Sequence, residues 1–165
     1  VAVMSVSALA QTTATINVTA ELLAGLQIDP VADLDLGSFV LLNGSIEGSL
    51  TIGPDDGVYT SDELAVLTDP TLGSFRVLGS DGTVSISIEE SVVLTGGGGS
   101  TFIFFPAAHN GSETFQASGG NIVGDAIISS GVSQDISIGG TLQDVEQSDD
   151  AGSYSGTIEI TVSYQ

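Results

Sequence analysis

Apolar and polar residues alternate with a period of two along much of this chain, and this pattern constrains its fold more than any other feature. Successive side chains of a β-strand point to opposite faces, so the alternation predicts strands with one buried face. Five segments share the pattern: 12–22, 45–52, 83–88, 135–138 and 152–164. The first segment places on one side Ala14, Ile16, Val18, Ala20 and Leu22. The last segment places on one side Tyr154, Ile158, Ile160, Val162 and Tyr164.

Short hydrophobic runs bounded by turn residues lie between these segments. Gly, Asn and Asp mark turns at 43–45, 53–57, 79–82, 96–99 and 110–112. These residues favour turns because they tolerate unusual backbone angles or hydrogen-bond to their own backbone. Evenly spaced strands with glycine-rich turns predict an all-β fold, a β-sandwich or a barrel, in one domain.

Two local predictions concern individual segments. Residues 61–67 are predicted to form the one helical turn, with Ser61 as its N-cap and acidic residues in the first turn. The run at 101–105 is predicted to fill the core with Phe102, Phe104 and Phe105. Residues 96–99 are predicted to form the hairpin tip that precedes this run.

The charge balance excludes several classes of partner. The chain has 21 acidic residues and one basic residue, which gives a formal net charge of −20. No cationic patch is available for nucleic acid, so nucleic-acid binding is excluded, as is binding to anionic lipid. The chain also has no cysteine and therefore no disulfide or thiolate metal site.

The first ten residues, VAVMSVSALA, are apolar and end in Ala8-Leu9-Ala10. They resemble the end of a secretory signal with its A-x-A cleavage site, so we expect a secreted protein. They are too short to span a bilayer, and no membrane span is expected. If they are retained instead, the alternating face continues unbroken through them, at Ala2, Met4, Val6 and Ala8.

No motif predicts catalysis, a metal site or a cofactor. The only histidine, His109, is predicted to lie in an exposed loop, and no G-x-S-x-G nucleophile motif is present. Acidic residues at 29–35, 55–56 and 149–150 leave a calcium site open, although aspartate is also an ordinary turn residue. We therefore expect a protein that is not an enzyme.

Four motifs in order resemble a secreted bacterial β-sandwich family known as domain of unknown function 4402 (DUF4402). They are ATINVTAELLAGLQIDPVADLDLGSF (14–39), GSFRVLGSDGTVSISI (73–88), ISIGGTLQDV (136–145) and GSYSGTIEITVSY (152–164). The resemblance covers nearly the whole chain from about residue 12.

The last strand also resembles the C-terminal strand of chaperone–usher pilin subunits. Gly152 is fourteenth from the end, apolar residues then alternate, and Tyr164 is the penultimate residue. The resemblance implies an immunoglobulin-like β-sandwich that lacks one strand and is completed by an N-terminal strand donated by the next subunit. The donor would be residues 11–22, which could also form the domain's own first strand, or residues 1–10 if they are retained. Residues 23–165 would form the domain.

This resemblance implies a structural subunit of an extracellular filament or fimbria at the cell surface. Its partners would be identical subunits, with a periplasmic chaperone and an outer-membrane usher during assembly. The alternative is a self-contained secreted sandwich that binds a glycan or a surface protein.

Overall fold

The computed structural model describes residues 19–22, 25–116, 120–129 and 131–165. In chain order, its strands are β1 (Gln27–Ala32), β2 (Ser38–Leu41), β3 (Glu47–Ile52), β4 (Tyr59–Asp62), β5 (Leu64–Thr68), β6 (Gly73–Leu78), β7 (Gly82–Ile88), β8 (Val92–Gly96), β9 (Thr101–His109), β10 (Thr114–Gln116), β11 (Ile122–Ile128), β12 (Gln134–Glu146), β13 (Tyr154–Ser155) and β14 (Ile160–Tyr164). The described residues contain no helix that is long and apolar enough to cross a membrane.

The strands form two packed layers. The larger layer has the order β1-β6-β12-β9-β8-β13, with β10 beside β9, β3 beside β12, and β4 beside β3. The opposite layer consists of a three-stranded sheet, β11-β7-β14, and a separate two-stranded ribbon, β2–β5. All strand pairs are antiparallel. The predicted all-β sandwich is confirmed.

Two hydrophobic clusters hold the layers together. Sheet β11-β7-β14 packs on β6 and the first half of β12, where Val84, Ile86 and Ile136 are fully buried. The ribbon β2–β5 packs on β3, β9 and the second half of β12, around Phe104 and Leu142. Leu34 and Ile158 pack against both clusters, so the core is continuous along the larger layer.

Strand β12 spans both halves of the core, and a glycine allows it to do so. Gly140 has a φ of 143°, and a Cβ at this position would collide with the carbonyl oxygen of Phe105. The strand pairs with β6 up to Ile138 and with β3 from Gly140 onward. This change of partner is what lets one strand support both the three-stranded sheet and the ribbon.

The predicted helical turn at 61–67 is wrong. Ser61 and Asp62 end β4 and pair with Leu50 and Ser49 of β3, so their backbone groups join a sheet instead of a first helical turn. Glu63 then adopts a φ of 55°, which reverses the chain into β5. Pairing within the sandwich overrides the capping signal of the local sequence.

Predictions for the hairpin tip, the phenylalanine run and the histidine are confirmed only in part. The hairpin tip is confirmed, because the 96–100 turn is closed by a hydrogen bond from the Gly96 N–H to the carbonyl of Ser100. Phe102 and Phe104 are buried as predicted, whereas Phe105 is only half-buried. His109 is not in a loop, since it ends β9 and its Nδ1 lies 2.9 Å from the Thr114 hydroxyl oxygen.

The single cation of the chain pairs across the larger sheet. Arg76 on β6 donates two hydrogen bonds to the carboxylate of Asp135 on β12, at 2.7 and 3.2 Å. These hydrogen bonds are the main reason that the pKa of Asp135 is lowered. Both side chains are well exposed, so solvent screens the pair.

We expect Arg76→Gln to lower stability slightly near neutral pH and to have no effect in strong acid. A depressed carboxyl pKa contributes stability above its unfolded-state value and loses it as the pH falls through the folded-state pKa. Chemical denaturation of both proteins between neutral and acidic pH measures this difference. A difference that persists once Asp135 is protonated would show that Arg76 acts through packing instead.

Candidate functional site

A long groove interrupts the second layer of the sandwich. It has a volume of about 1420 Å³ and opens between β2 on one side and residues 152–160 on the other. Its floor belongs to the larger sheet and is apolar: Val92, Leu94, Phe102, Phe104, Leu142 and Val145. Five of these six side chains are no more than 6% exposed, and only Leu94 is half-buried. The other half-buried apolar side chains of the lining lie along the sides of the groove, among them Leu36, Phe39, Ile158 and Ile160.

Each side of the groove includes the edge of a strand, β2 on one side and the start of β14 on the other. Strand β14 pairs only with β7, and β2 pairs only with β5, among the described residues. The layer thus has the order β11-β7-β14, then the groove, then β2-β5. An edge without a strand partner presents backbone N–H and C=O groups to whatever lies beside it. One extended strand between β14 and β2 would join the two parts into a single sheet.

An aromatic stack closes the end of the groove near β8. Tyr154 stacks on Phe102 with 3.9 Å between ring centroids, and Phe39 of β2 lies 6.3 Å from Phe102 in a tilted arrangement. The Tyr154 hydroxyl donates a 2.6 Å hydrogen bond to the carbonyl of Asp150. These contacts fix the groove wall at 150–154 against the floor.

The predicted C-terminal strand is broken in two. Tyr154 and Ser155 pair with β8 of the larger sheet, whereas Ile160–Tyr164 pair with β7 of the opposite sheet. Gly152 lies in neither strand and is exposed. The predicted alternation is confirmed, since the five apolar residues of this segment are all half-buried: Tyr154, Ile158, Ile160, Val162 and Tyr164.

The break coincides with a close approach of the chain to β8. Gly156 lies so close to β8 that a Cβ would come within 2.8 Å of the Val93 carbonyl oxygen and the Leu94 side chain. The chain then crosses between layers, and the Glu159 N–H donates a 2.7 Å hydrogen bond to the Glu89 carboxylate. Residues 156–159 consequently form the middle of the groove wall without belonging to a strand.

The penultimate tyrosine anchors the far end of β14. The Ser80 N–H donates a 2.7 Å hydrogen bond to the Tyr164 hydroxyl oxygen. The side chains of Tyr164, Ile128 and Leu26 converge on Gly79, where a Cβ would be too close to all three. Tyr164 therefore ties the last strand to the 79–82 turn and to the point where the chain enters β1.

We expect Tyr164→Phe to destabilise the protein by about 0.5–1.5 kcal/mol, because it removes the acceptor of the Ser80 N–H and keeps the ring. Urea denaturation of the two proteins measures the loss. Equal midpoints would contradict an anchoring role for this hydroxyl group.

The predicted N-terminal strand residues are only partly described. Ala14, Ile16 and Val18 lie outside the described residues, as does the retained-segment set of Ala2, Met4, Val6 and Ala8. Ala20 and Leu22 are described: residues 19–22 belong to no strand and are exposed, and the place of these two side chains in a donated or first strand stays a prediction. Leu22 is 98% exposed because it lies against no part of the sandwich, and β1 pairs with β6 instead.

Acidic side chains border the groove. Its lining includes five of them and no basic residue: Asp33, Asp35, Glu146, Asp149 and Asp150. Two are held by turns, since Asp35 accepts a hydrogen bond from the Gly37 N–H and Asp149 accepts one from the Glu146 N–H. In the part of the chain that the structure describes, no three His, Cys, Asp or Glu side chains come together as a possible metal site.

Sequence reasoning missed the β2–β5 ribbon as a groove wall. Its strands derive from the continuous apolar runs FVLL (39–42) and LAVL (64–67). Such runs are typical of strands whose two faces are both buried. The sequence therefore indicated that a second element packs on the outer face of this region. The side chains of Phe39, Leu41 and Val66 pack on the core, whereas Val40 and Leu67 remain exposed.

Comparison with known proteins gives a family without an assigned activity. Residues 26–164 match the model of the family described as domain of unknown function (DUF4402). A search of curated proteins finds no relative that matches this chain. The matched region begins at Leu26, beside the first residue of β1.

Proposed function

The chain belongs to the DUF4402 family, and from its groove we propose that it is a structural subunit of an extracellular filament. In this proposal, each subunit receives an extended N-terminal segment from a neighbouring copy between β2 and β14. The inserted strand completes the second layer, and repetition of this step yields a homopolymer at the cell surface. A periplasmic chaperone would cover the groove until an outer-membrane usher brings the next subunit.

The observation that carries the proposal is the pair of unpartnered strand edges above an apolar floor. Edges of this kind favour addition of a strand, because the backbone of the new strand forms hydrogen bonds with them while its alternate side chains pack on the groove floor. Phe104 and Leu142 in that floor are already fully or almost fully buried, and Ile158 and Leu94 are half-buried and face the space. A small polar ligand would leave the half-buried side chains Leu94 and Ile158 partly in water.

Charge supports a neighbour's N-terminus as the inserted segment. The first twenty residues contain no charged residue, and Glu21 is the first in the chain. All 21 acidic residues and the single arginine therefore lie after that segment. Because acidic side chains border the groove, residues 11–20 would enter it without like-charge repulsion, and Glu21 is the one acidic residue of the 11–22 segment.

The energies involved are adequate for a stable assembly. Full burial of a Val, Leu or Ile side chain contributes about 1.5–3 kcal/mol. Three such side chains in one donor approach the stability of a typical domain, about 5–15 kcal/mol. The loss of translational and rotational freedom offsets part of this gain. A subunit with its groove filled is accordingly expected to be much more stable than a free one.

Electrophoresis and electron microscopy of the full chain test the proposal. We expect filaments by negative-stain microscopy and a ladder of species that resists SDS at moderate temperature but dissociates on boiling. A stable monomer at all concentrations would contradict it. In that case, glycan-array binding would test the alternative of a self-contained binding domain.

A further inference from the structure

We infer that the donated strand is contained in residues 12–22 and that residues 1–10 do not enter the groove. This inference rests on the proposed function and specifies which part of the neighbouring copy the groove accepts. The sequence alone leaves both segments possible, because their even-numbered residues form one continuous apolar series.

The first strand of the described structure is β1, at the edge of the larger sheet beside β6. Residues 19–22, which precede it, belong to no strand. Leu22, an apolar residue of the alternating face, is 98% exposed, and Ala20 is exposed as well. These two side chains do not pack on their own described domain and are therefore available to a neighbouring copy.

The two candidate segments differ in the polarity of the face that would point away from the groove floor. A strand between β2 and β14 has one face on the apolar floor and the other in water. In residues 12–22 the outward positions are polar: Thr13, Thr15, Asn17, Thr19 and Glu21. They continue the exposed face of β14, where Thr161 and Ser163 point outward. In residues 1–10 the corresponding positions include Val1, Val3 and Leu9, which would be left in water.

The length of the connection sets the spacing between subunits. Only residues 23–25 separate Leu22 from Leu26, which packs beside Tyr164 at the start of the folded domain. An extended chain rises at most about 3.3–3.6 Å per residue, so this connection spans no more than about 14 Å. Neighbouring domains would thus lie in direct contact. Residues 1–10 as donor would allow a separation of up to about 55 Å.

Site-specific disulfide formation in mixed assemblies tests this assignment. The chain has no cysteine, so a disulfide can form only between introduced residues. The acceptor is full-length protein with Ile158→Cys in the groove wall. It is mixed before assembly with one of three donor variants: I16C, V18C or A20C. The matched controls are three variants of the first segment: M4C, V6C and A8C.

We expect at least one of the three donors to form an intermolecular disulfide with Cys at position 158, identified by mass spectrometry of the linked peptides. The three controls are expected to give none. A segment seated in the groove runs beside Ile158, so at least one of its Cα atoms is expected to come within the 4.4–6.8 Å that a disulfide requires, and a segment outside the groove is not.

The possible failures are distinguishable. Linkage through the control positions, with none through 16, 18 or 20, would overturn the assignment and leave the filament proposal intact. Filaments without linkage at any of the six positions would also overturn it. Absence of filaments from the unmodified chain would instead contradict the proposed function itself.

Discussion

Replacing Val18 with aspartate is expected to abolish the polymer and leave the folded domain intact. The substitution removes an apolar side chain worth about 1.5–3 kcal/mol on burial. It also brings an unpaired carboxylate to an apolar floor, which costs several kcal/mol more. Each 1.4 kcal/mol is a factor of ten in an equilibrium constant. Association should therefore weaken by at least a hundredfold, as measured by the SDS-resistant ladder and by sedimentation.

Thr19→Asp is the matched control for Val18→Asp. It introduces the same charge one residue later, on the face that would point into water. We expect it to polymerise nearly as well as the unmodified chain. Loss of the ladder in both variants would indicate that charge alone blocks assembly. Normal filaments from Val18→Asp would show that the even-numbered face is not buried.

Replacing Phe104 with alanine is expected to give the largest loss of stability in the free subunit. Phe104 is 1% exposed and lies in the groove floor, where it packs in the cluster shared by β3, β9 and β12. Truncation of a buried phenylalanine costs about 3–5 kcal/mol. A free subunit already lacks cover over the groove, so much of its folding stability should disappear. Urea denaturation monitored by circular dichroism measures the loss.

Phe105→Ala serves as the control for Phe104→Ala, because the next residue of β9 points to the other side of the sheet and is only half-buried. Its effect should be clearly smaller. If Phe104→Ala does not fold, Phe104→Leu should show a smaller loss in the same direction. Equal losses at 104 and 105 would contradict a core that lies on the groove side of β9.

The sequence predicted the fold class because burial on one face leaves a period-two pattern. The alternation at 83–88 corresponds to β7, whose Val84, Ile86 and Ile88 are fully buried. The same reasoning failed at Ile46, which is 76% exposed because β3 begins only at Glu47. Alternation thus identified strands more reliably than it identified where they end.

The groove could not be predicted from the alternation, because it depends on which strands lie side by side. The break at 156–159 coincides with the close packing of Gly156 on β8, a long-range contact. The division of the second layer into β11-β7-β14 and β2-β5 depends on pairings between strands that are distant in the sequence. Neither feature produces a periodic pattern in the sequence. The continuous apolar runs of β2 and β5, in contrast, did indicate strands with both faces buried.

The penultimate tyrosine illustrates the difference between a motif and its physical role. The sequence singled out Tyr164 because of its spacing from Gly152. In the structure, its hydroxyl oxygen accepts a hydrogen bond from Ser80, and its side chain lies beside Leu26 at the entry to β1. This role in the fold exists without any partner subunit.

Electron cryomicroscopy of the assembled material tests the central claim most directly. The account predicts an extended strand between β2 and β14, continuous with the domain of a neighbouring copy and with alternate side chains above Phe104 and Leu142. An empty groove in the filament, or a groove filled by a segment of the same subunit, would contradict the claim.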